Sequence, residues 1–433
     1  MKKKNVFIIG LDDFNLEKLN RLPQAEECSF HSALDYKDMR NFEAFKNVAG
    51  LIEKAISTME NFEGSVDAVA SYWDFPGTVM VPILAERFGL PGPSLESILK
   101  CENKYWSRME QQKAIDEYIP RYQVFDPFDD NAFEKLDILP PFWIKPIKSF
   151  RSFLAFQING ERQFNEVMEV CREKGGMMNE PFQHIMDTYH MPAEISQMKE
   201  SFIAESPIGG WQCTLEGYVH NGKVLVYGIV DSVREQDSSS FSRYQYPSSL
   251  PLDIQHRMID VIRSALVQFK LDNSPFNAEF FYDQTADKVW LLEVNPRTSQ
   301  AHTDIFEKVH GISHLSVMVD IALGLKPKPL ERSGEFNIAS HFMLRTFEKG
   351  KVSRIPSSMD VEKLEKRQPG TIVRMKVEPG QDLDDLQGQD MYSFELATVF
   401  IGGRDQTDVL EKYDEALSVL QFDIDKNEET VVV

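Results

Sequence analysis

Cysteine is scarce: Cys28, Cys101, Cys171 and Cys213 are the only four in 433 residues, with no C-x-x-C pair. That excludes a disulfide frame and a thiolate zinc site, and it fits reduced thiols in a cytoplasmic protein. Basic charge is also in deficit, with 47 Lys and Arg against 68 Asp and Glu and a formal net charge of −21. Broad binding to nucleic acid or to anionic membranes needs clustered cations, so neither is expected; a phosphorylated ligand needs only a few local ones. Long apolar runs are missing. The opening Met1-Lys-Lys-Lys resembles a signal peptide, but Val6–Gly10 is short and Asp12 and Asp13 follow at once. No later run approaches the ~20 residues of a membrane span. Repeats, low-complexity blocks, G-x-S-x-G and zinc-type His clusters are absent, and Gly10-Leu-Asp-Asp-Phe-Asn is not a dinucleotide fingerprint.

What is present is a globular composition, 42% hydrophobic and 27% charged, with length for two to four domains. Residues 6–10 read as a buried strand, 45–59 as a helix, Ala68–Trp73 as a second strand and Val79–Phe88 as a second helix. That alternation predicts an N-terminal α/β domain with a parallel sheet over 1–100. From 101 to 205 the expectation is a helix over Glu102–Tyr118, then short strands at Arg121–Phe125, Phe142–Lys145 and Phe153–Ile158. From 206 to 325 come strands at Cys213–His220, Lys223–Ser232, Phe276–Tyr282 and Val289–Val294. A helix over Ile254–Phe269 is expected among them, N-capped by Asp253, and another over Ile312–Leu323. Residues 326–433 alternate strand patterns with a closing helix after Asp405. Gln381–Asp390 reads as a solvated acidic loop. The fold class is α/β and α+β, multidomain, with a mixed β-rich C-terminal domain.

Phe276-Asn-Ala-Glu-Phe-Phe-Tyr282 and Val289-Trp-Leu-Leu-Glu-Val-Asn-Pro-Arg297, joined by a short polar link, predict an antiparallel hairpin. Strand alternation puts Glu293 and Asn295 on one face with Leu291, and Glu279 on one face with Asn277 and Phe281. Glu279 then falls opposite Glu293 or one position off. Facing carboxylates repel, and a cation is the simplest compensation. Two carboxylates and an amide oxygen suit magnesium or manganese rather than zinc.

With these residues the sequence resembles the ATP-grasp superfamily of ligases, of the L-amino-acid ligase and biotin carboxylase type, over about Asn103–Gly324. The resemblance implies an ATP-grasp fold, with a lid subdomain over 101–205 and a metal-binding subdomain over 206–325. It implies that Glu279, Glu293 and Asn295 hold magnesium ions on ATP and that Arg297 acts on the transferring phosphate. Lys145, in Phe142-Trp-Ile-Lys-Pro146, matches the lysine that reaches the phosphates, and Lys104 the one that opens the ATP-grasp region. Phe202-Ile-Ala-Glu-Ser206 resembles the hinge, so Ala204, Glu205 and Ser206 become candidates for adenine. The usual glycine-rich loop after Lys-Pro is replaced by Ile147-Lys-Ser-Phe-Arg-Ser-Phe153, where Ser149, Ser152, Lys148 and Arg151 are the candidate phosphate donors. Arg243, Ser299 and His302 are the substrate candidates, Arg243 as a carboxylate anchor.

The implied activity joins a small-molecule carboxylate to an amine through an acyl phosphate, releasing ADP and phosphate. A biotin carboxylase-like reaction through carboxyphosphate is the alternative, and a non-catalytic nucleotide-binding protein is the other. Dimers being the commonest soluble oligomers, a homodimer is the assembly to look for.

Overall fold

The computed structural model describes residues 2–41, 45–149, 153–189, 191–198, 201–236, 238, 240–386 and 393–426. They form two compact units, interleaved along the chain. One comprises Met1–Gly228, Leu250–Gln300 and Leu315–Pro329, and the other Ile229–Ser249, Ala301–His314 and Leu330–Val433. A division into consecutive segments does not express that interleaving.

In the first unit, β1 (Lys4–Leu11) lies between β2 (Cys28–Asp35) and β3 (Ala68–Ser71), all parallel. Val6, Phe7, Ile8 and Ile9 are at most 1% exposed, as expected of a central parallel strand covered on both faces. β2 was not anticipated from sequence; it is an edge strand with only one neighbour. Helix α1 (Gly77–Phe88) follows β3. A helix not anticipated from sequence, α2 (Leu95–Glu102), comes next, and the helix expected over Glu102–Tyr118 is present after it as α3 (Lys104–Ile115), continued by a 3-10 turn over Asp116–Tyr118. Asn103 makes the break. Its backbone is extended (φ −91°, ψ 112°), and its side chain accepts from the Trp106 N–H to cap α3.

A small antiparallel sheet comes next, with β4 (Tyr122–Phe125), β5 (Phe142–Pro146), β6 (Phe156–Ile158) and β7 (Phe202–Glu205) in the order β4–β7–β5–β6. Phe125, Phe142, Phe164 and Phe202 pack into one buried cluster beneath it. The chain then forms β8 (Trp211–His220) and β9 (Lys223–Arg234). Asn221 and Gly222 have φ of 51° and 71°, as the two-residue primed turns of tight hairpins require. After β10 (Phe241–Tyr246) comes α4 (Leu252–Phe269), which buries Ile254, Met258, Val261, Ile262, Ala265, Leu266 and Phe269. Its cap is Pro251, not Asp253, which sits inside the first turn and makes no capping bond. β11 (Ser274–Asp283) and β12 (Lys288–Asn295) complete the unit's larger sheet, in which β12 is the edge strand, beside β11 and then β8.

In the second unit β10 pairs with the later part of β9 and with β13 (Ile338–Thr346). Beyond a short strand, β14 (Lys351–Arg354), β15 (Ile372–Met375) pairs with β16 (Phe394–Gly403), which also pairs with β13. A helix over Gln406–Val419, capped by the Asp405 side chain, closes a core that includes Phe342, Val399, Ile401 and Val409. Part of the acidic run 381–390 lies outside the described residues. Among the described residues no helix is long and apolar enough to cross a membrane, and all four cysteines are buried and unbridged.

Candidate ATP and metal site

Glu279 and Glu293 stand directly opposite each other across β11 and β12, and Asn277 stands opposite Asn295. A bulge interrupts the register immediately after Glu279. Its consequence overturns one expectation. Phe276, Ala278 and Phe280 on β11 point into the core, and so do Val289, Leu291 and Val294 on β12, each at most 2% exposed. The step from Leu291 to Val294 is three residues, not two or four, because the bulge inserts one residue. Leu291 therefore faces the core, while Glu293 and Asn295 face the other side with Glu279.

Neighbouring β8 extends that polar face. Glu279 lies opposite Thr214 and Asn277 opposite Glu216, and Gln212, Thr214 and Glu216 are all at least 95% buried. The Asn277 amide donates to Glu216 at 2.6 Å, and the Gln212 amide donates to Glu279 at 3.1 Å. Glu216 was missed from sequence, although the alternation of Gln212, Thr214 and Glu216 within an apolar strand announces a polar inner face. Among the described residues no three His, Cys, Asp or Glu side chains converge into a metal cage. The set that does converge is two facing carboxylates flanked by amide side chains, an all-oxygen arrangement that fits a hard divalent cation. Glu279, Glu293 and Asn295 would hold it.

The cations gather beside this face. Lys104 donates to the Ser149 carbonyl at 2.6 Å and to its hydroxyl at 3.2 Å, which unites two of the expected ATP residues. Burial lowers the Lys104 ammonium to about 8; Glu293 pulls the other way, and Lys148 and Lys145 push it further down. Lys145 donates to Glu205 at 2.9 Å. Lys148, a candidate phosphate donor from sequence, is buried in an ion pair with Glu102, and its ammonium lies 5.0 Å and 5.3 Å from the Phe75 and Phe182 ring centres. Arg151 and Ser152 lie outside the described residues.

Glu205 is 4% exposed and takes Arg108 on one oxygen at 2.6 Å and Lys145 on the other. Burial alone would raise its carboxyl, but Arg108 and Lys145 outweigh that and hold it at about 2. Ala204, expected beside adenine, is fully buried in the β4–β7 core, and its strand is paired on both sides. It offers no surface to a ligand. Ser206 exchanges bonds with Arg121, its N–H donating to the Arg121 carbonyl and its hydroxyl accepting from the Arg121 N–H. Gly210, just beyond this segment, has φ +114°, and a Cβ there would lie 2.1 Å from the Tyr282 carbonyl oxygen, so no other residue fits.

Arg297 donates to Asp74 at 2.5 Å. Burial opposes its charge, while Asp74 first and then Glu216 and Glu279 strengthen it. Ser299 is buried just beyond. Arg243 and His302 belong to the second unit, where the His302 ring meets Tyr244 edge-on at 5.0 Å and burial lowers the Arg243 guanidinium against the pull of Asp231.

An ATP-grasp domain model matches residues 138–304. The chain carries an ATP-grasp domain. Its fold is similar to that of an L-amino acid ligase from Bacillus licheniformis (TM-score 0.72, 16% identity, 98% of this chain and 100% of that one). It is also similar to a phosphoribosylglycinamide synthetase from Anaerococcus prevotii (0.65, 14%, 98% and 100%). A third likeness is to a biotin carboxylase from Campylobacter jejuni crystallised as a β-γ-ATP complex (0.63, 14%, 98% and 92%). No curated protein matches the chain by sequence. The matched residues include Lys145, Glu205, Glu279 and Glu293, and begin after Lys104.

Proposed function

We propose that this protein is an ATP-dependent carboxylate–amine ligase. The observation that carries the reading is the facing pair Glu279 and Glu293, with Asn295 beside them and Lys104 within the field of Glu293. A substrate carboxylate oxygen attacks the γ-phosphorus of ATP, the bond to the β-phosphate oxygen breaks, and ADP leaves. The acyl phosphate is attacked by an amine nitrogen; the C–O bond breaks, phosphate leaves with the electron pair, and the nitrogen loses a proton. Activation replaces hydroxide, a poor leaving group, by phosphate. Magnesium bound at Glu279, Glu293 and Asn295 would supply charge neutralisation at the phosphates. Lys104 and Lys145 are assigned to the phosphates, Glu205 to orienting Lys145, and Arg297 to the phosphoryl group in transit. The substrates are small molecules, and Arg243, Ser299 and His302 remain the substrate candidates.

The product test is direct. Chromatography after turnover with a pool of amino acids should show ADP and free phosphate; AMP and pyrophosphate would remove the acyl phosphate. The likeness to biotin carboxylase favours a second reading through carboxyphosphate. Stimulation of ADP release by bicarbonate, with none by carboxylates and amines, would select it.

Arg297→Lys keeps the charge against Asp74 but loses the planar fork that grips two phosphate oxygens. The expected result is a rate lowered roughly 10²–10³-fold with nucleotide affinity little changed. A normal maximal rate with weakened ATP binding would move Arg297 to ground-state binding.

A further inference from the structure

We infer that Arg108 is a positioning residue: by clamping the bulge of β12 it fixes Glu293 relative to Lys145. The inference rests on the ATP–metal reading above. Arg108 lies on α3 and is 4% exposed. Its Nη2 donates to the Leu292 carbonyl at 2.8 Å, and its Nη1 to the Leu291 carbonyl at 3.3 Å and to Gln111 at 2.5 Å. Its Nε donates to Glu205.

Two of these contacts are informative together. Consecutive carbonyls of a regular strand point to opposite sides, so one guanidinium reaches both only where the strand is bulged. The bulge is also what turns Glu293 onto the face of Glu279, because it shifts the alternation that places Leu291 in the core. The interaction that satisfies the bulge therefore also aims the carboxylate. β12 is the edge strand, so among the described residues no neighbouring strand supplies donors on its outer side. Through Glu205 the same guanidinium reaches Lys145, giving a continuous path from Lys145 to Glu205, Arg108, the bulge carbonyls and Glu293. Lys104 and Arg108 are four apart on α3, so one turn of helix carries both the phosphate lysine and this clamp. Four of the five N–H donors of the guanidinium are engaged in a fixed fork. A lysine ammonium, a point charge on a flexible stem, cannot span the carboxylate and both carbonyls.

The test is manganese binding, read by electron paramagnetic resonance in the presence of ADP, with no turnover needed. Wild-type protein should show a nucleotide-dependent Mn²⁺ site. Arg108→Lys should weaken that site about 10–100-fold, the range for outer groups that orient metal ligands. Far-UV circular dichroism and the thermal midpoint report whether the variant is folded. Should it fail to fold, Gln111→Leu keeps both charge pairs while freeing one guanidinium N–H, and should weaken Mn²⁺ in the same direction by less. Wild-type Mn²⁺ affinity in a folded Arg108→Lys protein, or in Gln111→Leu when the lysine variant does not fold, overturns the inference. Absence of any nucleotide-dependent Mn²⁺ site in the wild type instead removes the metal reading itself, and this inference with it.

Discussion

Glu293→Gln is expected to lower turnover roughly 10²–10³-fold or more while leaving the fold at least as stable. The two effects have opposite signs for one reason. Glu293 faces Glu279 directly across the sheet, and like charges in that position destabilise a strand pair by up to about 1 kcal/mol. Glutamine keeps the shape and the hydrogen-bonding reach and removes one charge, so the pair relaxes. The same charge is what a divalent cation needs, and an amide oxygen replaces it poorly on a hard metal. ADP release should be followed across magnesium concentrations up to saturation, alongside the thermal midpoint. Wild-type turnover at saturating magnesium would dismiss the metal assignment. A large fall in the midpoint would show that Glu293 is structural.

Glu205→Gln should cost about 3–5 kcal/mol of stability at neutral pH, because it leaves the Arg108 and Lys145 charges without the carboxylate that compensates them. Both partners are close, at 2.6 Å and 2.9 Å, and the glutamate is almost completely buried. Its carboxyl is held at about 2, below an ordinary value of 4.5. A depressed carboxyl contributes stability that is complete above its unfolded value and is lost as pH falls through the folded one. The gap between wild type and variant should therefore be widest above pH 4.5 and should close as pH falls toward 2. Urea unfolding at a series of pH values measures it. A gap that does not depend on pH would mean that the lost stability comes from packing and not from charge.

The β11–β12 hairpin, with Glu279 opposite Glu293, was legible because two carboxylates, an Asn and a Pro-Arg ending fall on apolar strands of the right length. The short strand that carries Lys145 before Pro146 was legible for the same reason. Arg108 was not, since the Leu292 carbonyl it bonds is 184 residues away and nothing local marks it. The bulge was equally hidden. Alternation assigns faces only while the register is regular, so Leu291 was placed with Glu293 although one extra residue sends it into the core. Asn103 could have been read, being a strong cap residue inside a run that otherwise looks helical. Asp253 misled because an acidic residue suits both the cap and the first turn, and Pro251 took the cap. Ala204 was selected by likeness to a hinge pattern. Its neighbours alternate, so Glu205 faces the site's cations and Ala204 faces the phenylalanine core.

The position of β12 at the margin of its sheet has a consequence for how the protein behaves among its own copies. An edge strand with free carbonyls is a template on which another extended chain adds itself, and the apolar residues of Val289-Trp-Leu-Leu would make such an addition adherent. In this fold Arg108 occupies the Leu291 and Leu292 carbonyls, and a bulged strand matches a straight newcomer badly. A protein that lost this cover would expose a short sticky margin during every local opening. Its first symptom at high concentration would be light scattering.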